Sequence, residues 1–414
     1  MKNARHSRPP AIVLGGGVNA LSIVRSLGRA GILSYAISNP QAEVKYSRYC
    51  KWIDIPKTRG TIPESWAAYL LGHESNHLRG AVLLAASDEA IELIAEHRQA
   101  LSEKFRLDLS NPKAQLCMLN KLCTYEAAQR AGVPTPRFWV ADKREQIEKL
   151  KDQLSFPLIL KPFFSHQLKT TFKVAQTFEE LLDAFDATCL AGIRTFLVEM
   201  IPGCDDKLCS YYTYLDENGN NLFDYTKRMI RRFPLTLGRG VYHVTDHVPG
   251  VQELSMKLLR EVGLLGIANV EFKLDERDGQ LKLIECNGRF TGADCLLTAS
   301  GLNLSLFVYN RLTGYPQPTP TNFRLGMRLW YPLRDFLAYR QLNRMGLLRF
   351  YQWVRSILHP QVFPFFRWDD PLPSIIMPFA FSVRRIRARF ARAKLRRFAT
   401  GVPALRSDLF SERK

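Results

Sequence analysis

The sequence predicts two different mixed folds in one chain, α/β in its first third and α+β from about Asn120 to Gly314. In the first part, short apolar strands alternate with amphipathic helices, which is the pattern of a parallel sheet covered by helices. In the second part, two hairpin-like segments stand among helices, so antiparallel strand pairs are expected. The chain has 414 residues and is 46% hydrophobic, which is enough for two or three domains with their own cores.

Three strands and two helices are expected before residue 115. The strands are AIVLGGG, LSYAIS and GAVLLAAS, and the helices are VNALSIVRSLGRAGI, ending at Gly31, and EAIELIAEHRQALSEKF. The last strand ends at Ser87 and Asp88. Strands that alternate with helices in this way are joined by crossovers and therefore run parallel. The segment 110–112, Ser-Asn-Pro, then marks a boundary.

From Asn120 the elements change in order and in kind. We expect helices at KLCTYEAAQRAG, FEELLDAFDATCLAG and QELSMKLLREVGLLG, single strands at FPLILKPF and TFLVEMIPG, and hairpins at KLCSYYTYLDENGNNLFDYTKRM and ANVEFKLDERDGQLKLIECN. After Gly314, the segment YPQPTPT is typical of a linker. The residues beyond it are rich in aromatic side chains, arginine and proline, and their pattern places them only loosely.

The composition is that of an ordinary globular protein without membrane spans. The longest apolar candidate, residues 371–383, is short and is interrupted by Pro373 and Pro378, so it does not reach the length of a membrane span. The N-terminal apolar run is too short for the core of a signal peptide, and none is expected. Eight cysteines are scattered without a CxxC pair, so we expect reduced, mostly buried thiols and a cytoplasmic location.

The net charge of +19 predicts an anionic partner. Much of the excess lies in residues 384–397, which hold eight basic residues and no acid. Apolar side chains recur at helical spacing over residues 379–397, so this tail is predicted to be a basic amphipathic helix. It indicates binding to an anionic membrane surface, peripherally and on the inner face. A solvated arm whose apolar face packs on the protein is an equal alternative. No nucleic-acid-binding fold is evident, and no nucleic-acid partner is expected.

A glycine-rich turn follows the first strand. Gly15 to Ala20 fits the pattern G-x-G-x-x-A between a strand and a helix, where backbone N–H groups can approach a phosphate. A dinucleotide site normally also has an acid at the end of the second strand, which binds the ribose hydroxyls. That strand is followed by Ser38, Asn39 and Pro40, and no acid occurs before Glu43. An NAD(P)-binding oxidoreductase is therefore a lesser alternative.

The second hairpin is the most informative segment. Its turn, residues 275–279, should bring Glu271 opposite Glu285 and Asn269 opposite Asn287. Two carboxylates that face each other across a strand pair repel, and each is unfavourable if it is buried alone. Oxygen ligands from two Glu and one Asn suit Mg²⁺, which also bridges to substrate phosphates. The alternative is an exposed hairpin whose acids are merely solvated, but Glu285 shares a face with apolar residues.

Three further residues end or begin elements in unusual ways. Lys161 ends an apolar strand, and Lys121 opens a helix after Asn120. A lysine that ends an otherwise apolar strand has a phosphate as its natural partner, although a surface lysine is the usual case. Glu199 stands where a strand leaves the core, beside Met200 and Ile201. An acid at that place could accept hydrogen bonds from a purine amino group, whereas an exposed loop acid is the simpler alternative.

Taken in order, these segments resemble the ATP-grasp superfamily. The resemblance is carried by NKLCTYEAAQRAGVPTPRFW, FPLILKP, FLVEMIPGCDD, GIANVEFKLDERDG and KLIECNGRF, and it covers about residues 10–315. It is strongest to the carbamoyl-phosphate-synthase-like and D-aspartate-ligase-like carboxylate–amine ligases. It implies a Rossmann-like domain over residues 1–115 and an ATP-grasp domain over 116–318, divided into subdomains 116–196 and 197–318. An aromatic and basic C-terminal region then occupies residues 319–414.

The resemblance also implies roles for residues at matching positions. The ATP-binding residues would be Lys121 and Lys161 for the phosphates, Glu199 with the backbone of Met200 and Ile201 for adenine, and Asp206 for the ribose. Glu271, Glu285 and Asn287 would bind one or two Mg²⁺, with Mn²⁺ as an alternative. The catalytic residues would be Arg289, facing the phosphoryl group or the intermediate, and Arg231, on the substrate side.

The implied activity is an ATP-dependent ligase that joins a small carboxylate to an amine through an acyl phosphate and releases ADP and phosphate. A homodimer is one option for its assembly. This sequence departs from the family pattern at three places. Gly288 replaces a frequent Pro, Met229 stands where relatives often have Lys, and the segment after Lys161 lacks glycines. The last two departures motivate the alternative of a Mg-ATP-binding regulatory or assembly protein with reduced catalysis.

Overall fold

The structure, a computed structural model, describes residues 8–55, 60–164, 173–317 and 322–376. Its first strands are β1 (Ala11–Leu14), β2 (Ser34–Ile37), β3 (Cys50–Trp52) and β4 (Val82–Ala85). They form a parallel sheet with the order β3-β2-β1-β4. The predicted parallel sheet is therefore confirmed. The strand β3 escaped prediction because its three residues carry no apolar run.

Both faces of this sheet are covered by helices. The helices are α1 (Val18–Arg29), α2 (Ile62–Leu71), α3 (Asp88–Glu96) and α4 (Arg98–Ser102). Along β1, Ala11 and Val13 belong to one apolar cluster with α1, whereas Ile12 and Leu14 belong to another with α2 and α3. This alternation is the period of two expected of a strand that is buried on both faces. The single helix predicted after Ser87 ends at His97, and α4 follows it.

The chain then forms a small antiparallel sheet. Helices α5 (Pro112–Leu119) and α6 (Lys121–Arg130) precede it in the chain, and α7 (Arg144–Lys149) and α8 (Phe178–Leu190) lie between its strands in the chain. Its strands are β5 (Phe138–Trp139), β6 (Leu158–Pro162), β7 (Lys173–Ala175) and β8 (Thr195–Glu199), in the order β5-β8-β6-β7. Residues from β6, β8, α7 and α8 form a separate apolar cluster, so this part of the chain has its own core.

A seven-stranded sheet forms the largest part of the structure. Its strands are β9 (Leu208–Leu215), β10 (Tyr225–Phe233), β11 (Arg239–Thr245), β12 (Gly266–Asp275), β13 (Gln280–Asn287), β14 (Arg328–Trp330) and β15 (Gln361–Val362). Their order is β13-β12-β9-β10-β11-β14-β15. The helices that accompany it are α9 (Val251–Val262), α10 (Asp294–Ala299) and α11 (Leu304–Thr313). Both predicted hairpins are antiparallel strand pairs of this sheet.

The residues after 318, predicted to form an aromatic and basic C-terminal region, add two strands to this sheet. Strand β14 pairs with β11, and β15 pairs with β14. Two helices, α12 (Pro332–Arg344) and α13 (Phe350–Ile357), lie between these strands in the chain. Among the described residues, no helix is long and apolar enough to cross a membrane. The predicted amphipathic segment 379–397 lies outside the described residues.

One expectation about the cysteines is wrong. Cys117 and Cys123 form a disulfide, with their Cα atoms 5.4 Å apart. Cys117 lies in the last turn of α5 and Cys123 in the first turn of α6, so the two thiols meet where the chain turns at Asn120. Six other cysteines are free. The sequence separation of six residues matches neither CxxC nor a metal-ligand pattern, so the pair could not be found from spacing.

The N-terminal sheet and the C-terminal segment are joined by two ion pairs of contrasting burial. Arg25 of α1 donates to the carboxylate of Asp370 at 2.8 Å and to the backbone carbonyls of Pro364 and Phe365. The side chains of Arg25 and Asp370 are 6% and 2% exposed. One helical turn later, Arg29 pairs with Asp369, and these side chains are 32% and 38% exposed. The first pair holds the segment after β15 against α1.

We expect Arg25→Met to lower the free energy of unfolding by about 3–5 kcal/mol, because it leaves the carboxylate of Asp370 buried without its cation. Urea unfolding of the full chain measures this change. The matched control is Arg29→Met on the same helix, for which a loss of about 0–1 kcal/mol is expected since the pair is partly exposed. Equal losses for the two variants would show that the buried pair does not hold the C-terminal segment.

Candidate active site

Two glutamates face each other on the β12–β13 hairpin. Glu271 is paired with Glu285, and Asn269 with Asn287, so the predicted pairing is confirmed. A register shift between Glu271 and Phe272, which leaves Ile284 unpaired, is needed to produce it. The amide of Asn287 lies 3.4 Å from the Glu285 carboxylate and 3.5 Å from the Asn269 side-chain oxygen. The three residues predicted to bind a metal ion therefore lie together at one end of the hairpin.

Lys121 reaches this pair from α6. Its Nζ donates a hydrogen bond to the Glu285 carboxylate at 2.8 Å, and its charge lowers the pKa of Glu285 to about 2. The side chain of Asn120 caps α6 by accepting from two backbone N–H groups, and the Lys121 N–H donates to the carbonyl of Phe163. These two backbone contacts fix the start of the helix, and hence the lysine, opposite the hairpin.

Lys161 approaches the same place from β6. Its Nζ donates to the hydroxyl of Tyr125 at 2.7 Å and lies 3.4 Å from the carbonyl oxygen of Ile284. Burial, together with the neighbouring charge of Lys121, lowers the pKa of Lys161 to about 7. The ammonium groups of Lys121 and Lys161 thus lie near the same carboxylate, that of Glu285. Lys161 itself has no acidic hydrogen-bond partner among the described residues.

A third lysine, which the sequence analysis missed, lies on the other side of Glu271. Ser210 of β9 is the register partner of both Glu271 and Lys227. Glu285, Glu271, Ser210 and Lys227 therefore form one row across four neighbouring strands, with their side chains on one face of the sheet. Lys227 is 3% exposed, and its Nζ donates to the Ser210 hydroxyl at 3.0 Å.

His243 completes the row. Its Nδ1 lies 3.5 Å from Nζ of Lys227, and burial with the charge of Lys227 keeps the pKa of His243 well below its ordinary value. A Cβ added at Gly240 would lie 2.2 Å from the imidazole ring, so this glycine makes room for it. The register partner of His243 on β10 is Met229, two residues from Lys227, so His243 and Lys227 are diagonal neighbours on one face of the sheet.

Burial and the charge of Glu285 both raise the pKa of Glu271, and Lys227 and Lys121 act in the opposite direction. Groups of three or more His, Cys, Asp or Glu side chains placed to hold a metal do not occur among the described residues. A metal ion here would therefore use two carboxylates, the Asn287 oxygen, and phosphate or water oxygens. Those are the hard ligands that Mg²⁺ prefers. The repulsion between two half-buried carboxylates that face each other gives a direct reason for a cation between them.

Arg289 joins this cluster to the N-terminal sheet. Its Nε donates to the carboxylate of Asp88 at 2.6 Å, and its Nη1 donates to the Phe290 carbonyl at 3.2 Å. Asp88 is the first residue of α3, directly after β4. Burial lowers the pKa of the Arg289 guanidinium, but the charges of Asp88 and the nearby Glu285 outweigh burial, and the pKa lies above its ordinary value. The predicted catalytic arginine is thus held by an acid of the N-terminal helix α3 and is influenced by the charge of Glu285 on β13.

Glu199, predicted to contact adenine, ends β8. Its carboxylate is 2.6 Å from Arg277 and 3.2 Å from Arg137. Burial raises the pKa of Glu199, but the two guanidinium groups outweigh burial, and the pKa lies below its ordinary value. Arg277 belongs to the β12–β13 turn. The tip of the hairpin therefore contacts the end of β8, while the Glu285 end of the hairpin contacts Lys121.

The segment between Glu199 and β9 crosses from the small sheet to the large one. Lys273 of β12 donates from Nζ to the carbonyls of Ile201 and Gly203, both at 2.9 Å. The Met200 N–H donates to the carbonyl of Pro157. Asp206 is exposed and lies in a 3₁₀ helix of one turn, Asp205–Lys207. The crossing segment is thus held on both sides. The contacts with adenine and ribose expected of Glu199, Met200, Ile201 and Asp206 stay predictions.

Arg231, predicted to be a substrate-side arginine, lies in a buried ion pair. Its Nε and Nη2 contact the carboxylate of Asp335 at 2.6 and 3.0 Å, and its Nη1 donates to the Ser356 hydroxyl at 2.9 Å. Trp330 and Trp353 also donate their indole N–H groups to Asp335. These contacts give Arg231 a structural role, which joins β10 to α12 and α13. Substrate contact by Arg231 stays a prediction.

The glycine-rich turn has a packing explanation. Gly15 and Gly16 have φ values of +74°, and a Cβ at Gly15 would lie 2.2 Å from the Ser87 hydroxyl. A Cβ at Gly16 would lie 2.7 Å from the Ala86 carbonyl oxygen. The turn therefore needs glycine to pass close to the end of β4. This explanation removes the main support for the NAD(P) alternative.

Comparison with known proteins gives one relative that spans most of the chain. This chain is 26% identical to that relative, the D-aspartate ligase of Enterococcus faecium, over 391 residues, and the alignment covers 84% of this chain and 91% of the relative. No family model matches the chain.

Solved structures resemble the fold. The L-amino acid ligase of Bacillus licheniformis has a TM-score of 0.57 at 18% identity, covering 74% of each chain. The biotin carboxylase domain dimer of the Hydrogenobacter thermophilus 2-oxoglutarate carboxylase, in complex with MgADP and bicarbonate, has a TM-score of 0.60 at 18% identity. The alignment covers 77% of this chain and 73% of that one.

We expect Lys273→Met to loosen the crossing segment, because it leaves the carbonyls of Ile201 and Gly203 without their charged donor. A loss of about 1–3 kcal/mol in unfolding free energy is expected, together with faster hydrogen exchange in residues 200–204. Hydrogen–deuterium exchange with peptide resolution measures the local effect. Lys257→Met, which breaks only an exposed pair on α9, serves as the control and should change neither quantity. Unchanged exchange in Lys273→Met would contradict the anchoring role.

Proposed function

We propose that this chain, which belongs to the carboxylate–amine ligase branch of the ATP-grasp superfamily, joins a carboxylate to an amine at the cluster around Glu285. The carboxylate is activated by ATP as an acyl phosphate, and the amine then displaces phosphate. The substrate of the E. faecium relative suggests an amino acid as one of the two compounds. The identity of the acid and of the amine in this protein is left to experiment.

The observation that carries the proposal is the excess of cations around one pair of carboxylates. Lys121, Lys161, Lys227 and Arg289 are arranged around Glu271 and Glu285. With Asp88, which pairs with Arg289, the cluster holds four cations against three anions. A divalent cation adds to that excess, which leaves room for a polyanion. A nucleoside triphosphate bound through Mg²⁺ is a ligand of this kind.

The length of β6 supports the orientation of the nucleotide. Leu158 of β6 is paired with Glu199, and Lys161 lies three residues further along the same strand. Three residues of extended strand span about 10 Å, which suits the distance from a purine to its phosphates. We therefore place adenine beside Glu199, Met200 and Ile201, ribose at Asp206, and the phosphates at Lys121 and Lys161.

Glu271, Glu285 and Asn287 are the residues that would hold Mg²⁺, with Mn²⁺ as a substitute. Once bound, this ion supplies neutralisation of the negative charge that develops on the transferred phosphoryl group. Lys161 contributes a point charge from the opposite side, and Arg289 contributes a planar guanidinium that suits phosphoryl oxygens. Lys227 lies two residues before Met229 on the same strand, so β10 still offers a lysine although Met229 departs from the family pattern.

The reaction proceeds in two steps that balance. An oxygen of the substrate carboxylate attacks the γ-phosphorus, the bond to the bridging oxygen breaks, and ADP leaves. The amine nitrogen then attacks the acyl carbon, phosphate leaves with the bonding electrons, and the amine proton passes to solvent or phosphate. Both steps build negative charge on oxygen, so fixed cations such as Lys161 and Arg289 stabilise both transition states.

The domain boundaries follow the sheets. We assign the parallel sheet to a Rossmann-like domain (1–115) and the small antiparallel sheet to the first ATP-grasp subdomain (116–196). The seven-stranded sheet belongs mainly to the second (197–318), and the region 319–414 adds two strands to it. Homodimer formation, a cytoplasmic location and membrane contact through residues 379–397 stay predictions.

We expect Glu285→Gln to lower ADP release by more than about 100-fold, because it removes a metal ligand and the partner of Lys121 together. Replacing a residue that only orients a metal ligand already lowers activity by about 10–100-fold. ADP release is measured with an amino-acid and amine panel in the presence of Mg-ATP. The control is Glu276→Gln, the same substitution in the exposed turn of the same hairpin, and it should keep full activity. Full ADP release by Glu285→Gln would show that the metal assignment is wrong.

The same panel tests the reaction class. ADP release above background should require both an acid and an amine. Tight Mg-ATP binding in calorimetry, without ADP release for any pair in a broad panel, would favour the regulatory alternative over the ligase.

We expect Arg289→Ala to lower kcat by about 100–1,000-fold with a small change in the KM for ATP, because it removes a donor to the transferred phosphoryl group rather than to the nucleotide base. Asp88→Asn, which leaves Arg289 in place without its anchoring charge, should lower kcat by about 10–100-fold. Steady-state kinetics on the accepted substrate pair measure both. A wild-type kcat in Arg289→Ala would contradict its catalytic role.

A further inference from the structure

An exposed apolar surface lies on α12, α13 and the loop that joins them. Its most exposed apolar residues, each at least 40% exposed, are Leu333, Phe336, Met345, Leu347, Phe350 and Tyr351. We call these residues, together with the arginines described next, the helical face. Isolated exposed apolar residues are ordinary, but several on two adjacent helices form a contiguous patch of the kind that marks an interaction site.

The patch is rigid because its aromatic rings are packed on Trp353. The ring of Tyr339 stacks on Trp353 with centroids 4.9 Å apart, and Phe336 and Phe350 contact the same indole at 5.8 and 6.0 Å. Trp353 in turn donates its N–H to the buried carboxylate of Asp335. The face is therefore presented by folded helices that are anchored to the large sheet.

Arginines alternate with these apolar residues. Residues 332–359 contain five arginines and one acid. The arginines are Arg334, Arg340, Arg344, Arg349 and Arg355, and all are exposed. The acid, Asp335, is fully buried and paired with Arg231. None of the five arginines forms an ion pair with another described residue, so the outer surface of this face is purely cationic.

This charge pattern selects the partner. A second copy docked about a two-fold axis would set the same arginines against one another. The chain's own segment 384–397, with eight basic residues and no acid, would be repelled in the same way. An anionic surface is attracted, and the exposed apolar loop at Met345 and Leu347 can enter its apolar boundary. Apolar and aromatic side chains beside arginines are typical of proteins that bind the interface of anionic membranes.

We propose that the helical face, residues 333–358, binds the surface of membranes that contain anionic phospholipid. The apolar loop between α12 and α13 enters the boundary between headgroups and acyl chains, and the surrounding arginines contact lipid phosphates. This binding surface is independent of the ligase site and of residues beyond 376. It would hold the enzyme at the membrane with its large sheet next to the lipid.

Flotation of the full chain with vesicles tests the proposal. Vesicles of phosphatidylcholine with phosphatidylglycerol should carry the protein, vesicles of phosphatidylcholine alone should not, and added salt should weaken the binding. The variant Met345→Glu/Leu347→Glu places two acids in the apolar loop and should lower vesicle binding by more than about tenfold. Its thermal unfolding and its ADP release in solution should be close to those of the wild type.

The matched control is Leu190→Glu, which changes an apolar residue that is 90% exposed at the end of α8, away from the helical face. It should bind vesicles like the wild type. Vesicle binding that survives Met345→Glu/Leu347→Glu would assign the membrane contact to the basic tail and overturn the proposal. Absence of binding by the wild-type chain would also overturn it and would leave an acidic protein as the partner of this face.

Discussion

The arrangement of two half-buried glutamates side by side on the β12–β13 hairpin is the constraint around which the rest of the site is organised. Glu271 and Glu285 are register partners, and like charges at this distance are unfavourable where water is partly excluded, unless cations surround them. Each neighbouring element supplies one such cation. Lys121 comes from the start of α6, Lys161 from the small sheet, and Lys227 from β10. The folding of separate sheets toward one hairpin therefore satisfies the same electrostatic requirement that later binds a polyanionic nucleotide.

The hairpin also joins the two regions that we propose for the two ends of a nucleotide. Its turn contacts Glu199 through Arg277, and its other end contacts Lys121 through Glu285. Glu199 itself lies on the strand that is paired with β6, and β6 carries Lys161. The small sheet and the hairpin thus run alongside each other over the length of the site. Cations at both ends tie them together, so a ligand that lies between them replaces some of these ion pairs with its own charges.

Local pattern and turn length were sufficient to predict the parallel sheet and both hairpins, because a short turn fixes the first strand pairs beside it. The pairing of Glu271 with Glu285 depends on more than the turn. Counted from the turn alone, Glu271 would face Ile284, and the register shift between Glu271 and Phe272 brings it opposite Glu285. Lys227 and His243 could not be found in this way. They come together because β10 lies between β9 and β11 in the sheet, where Lys227 pairs with Ser210 and Met229 with His243, and this strand order leaves no signature in the local pattern. The ion pair of Arg231 with Asp335 was also missed, because it joins residues 104 positions apart and such contacts leave no periodic signal.

Arg289 shows how the N-terminal sheet enters the chemistry. The guanidinium is held by Asp88, which begins α3 at the carboxyl end of β4, and it feels the charge of Glu285 as well. In open α/β sheets, ligands bind beyond the carboxyl ends of the strands, and the glycine turn after β1 lies at the same edge, packed against Ser87. Arg289 is thus oriented by a residue at the carboxyl edge of the N-terminal sheet, while its other charged neighbour is Glu285 on the hairpin. If the hairpin binds the phosphoryl group as we propose, substrate binding at the sheet edge and phosphoryl transfer at the hairpin would be coupled through this one ion pair.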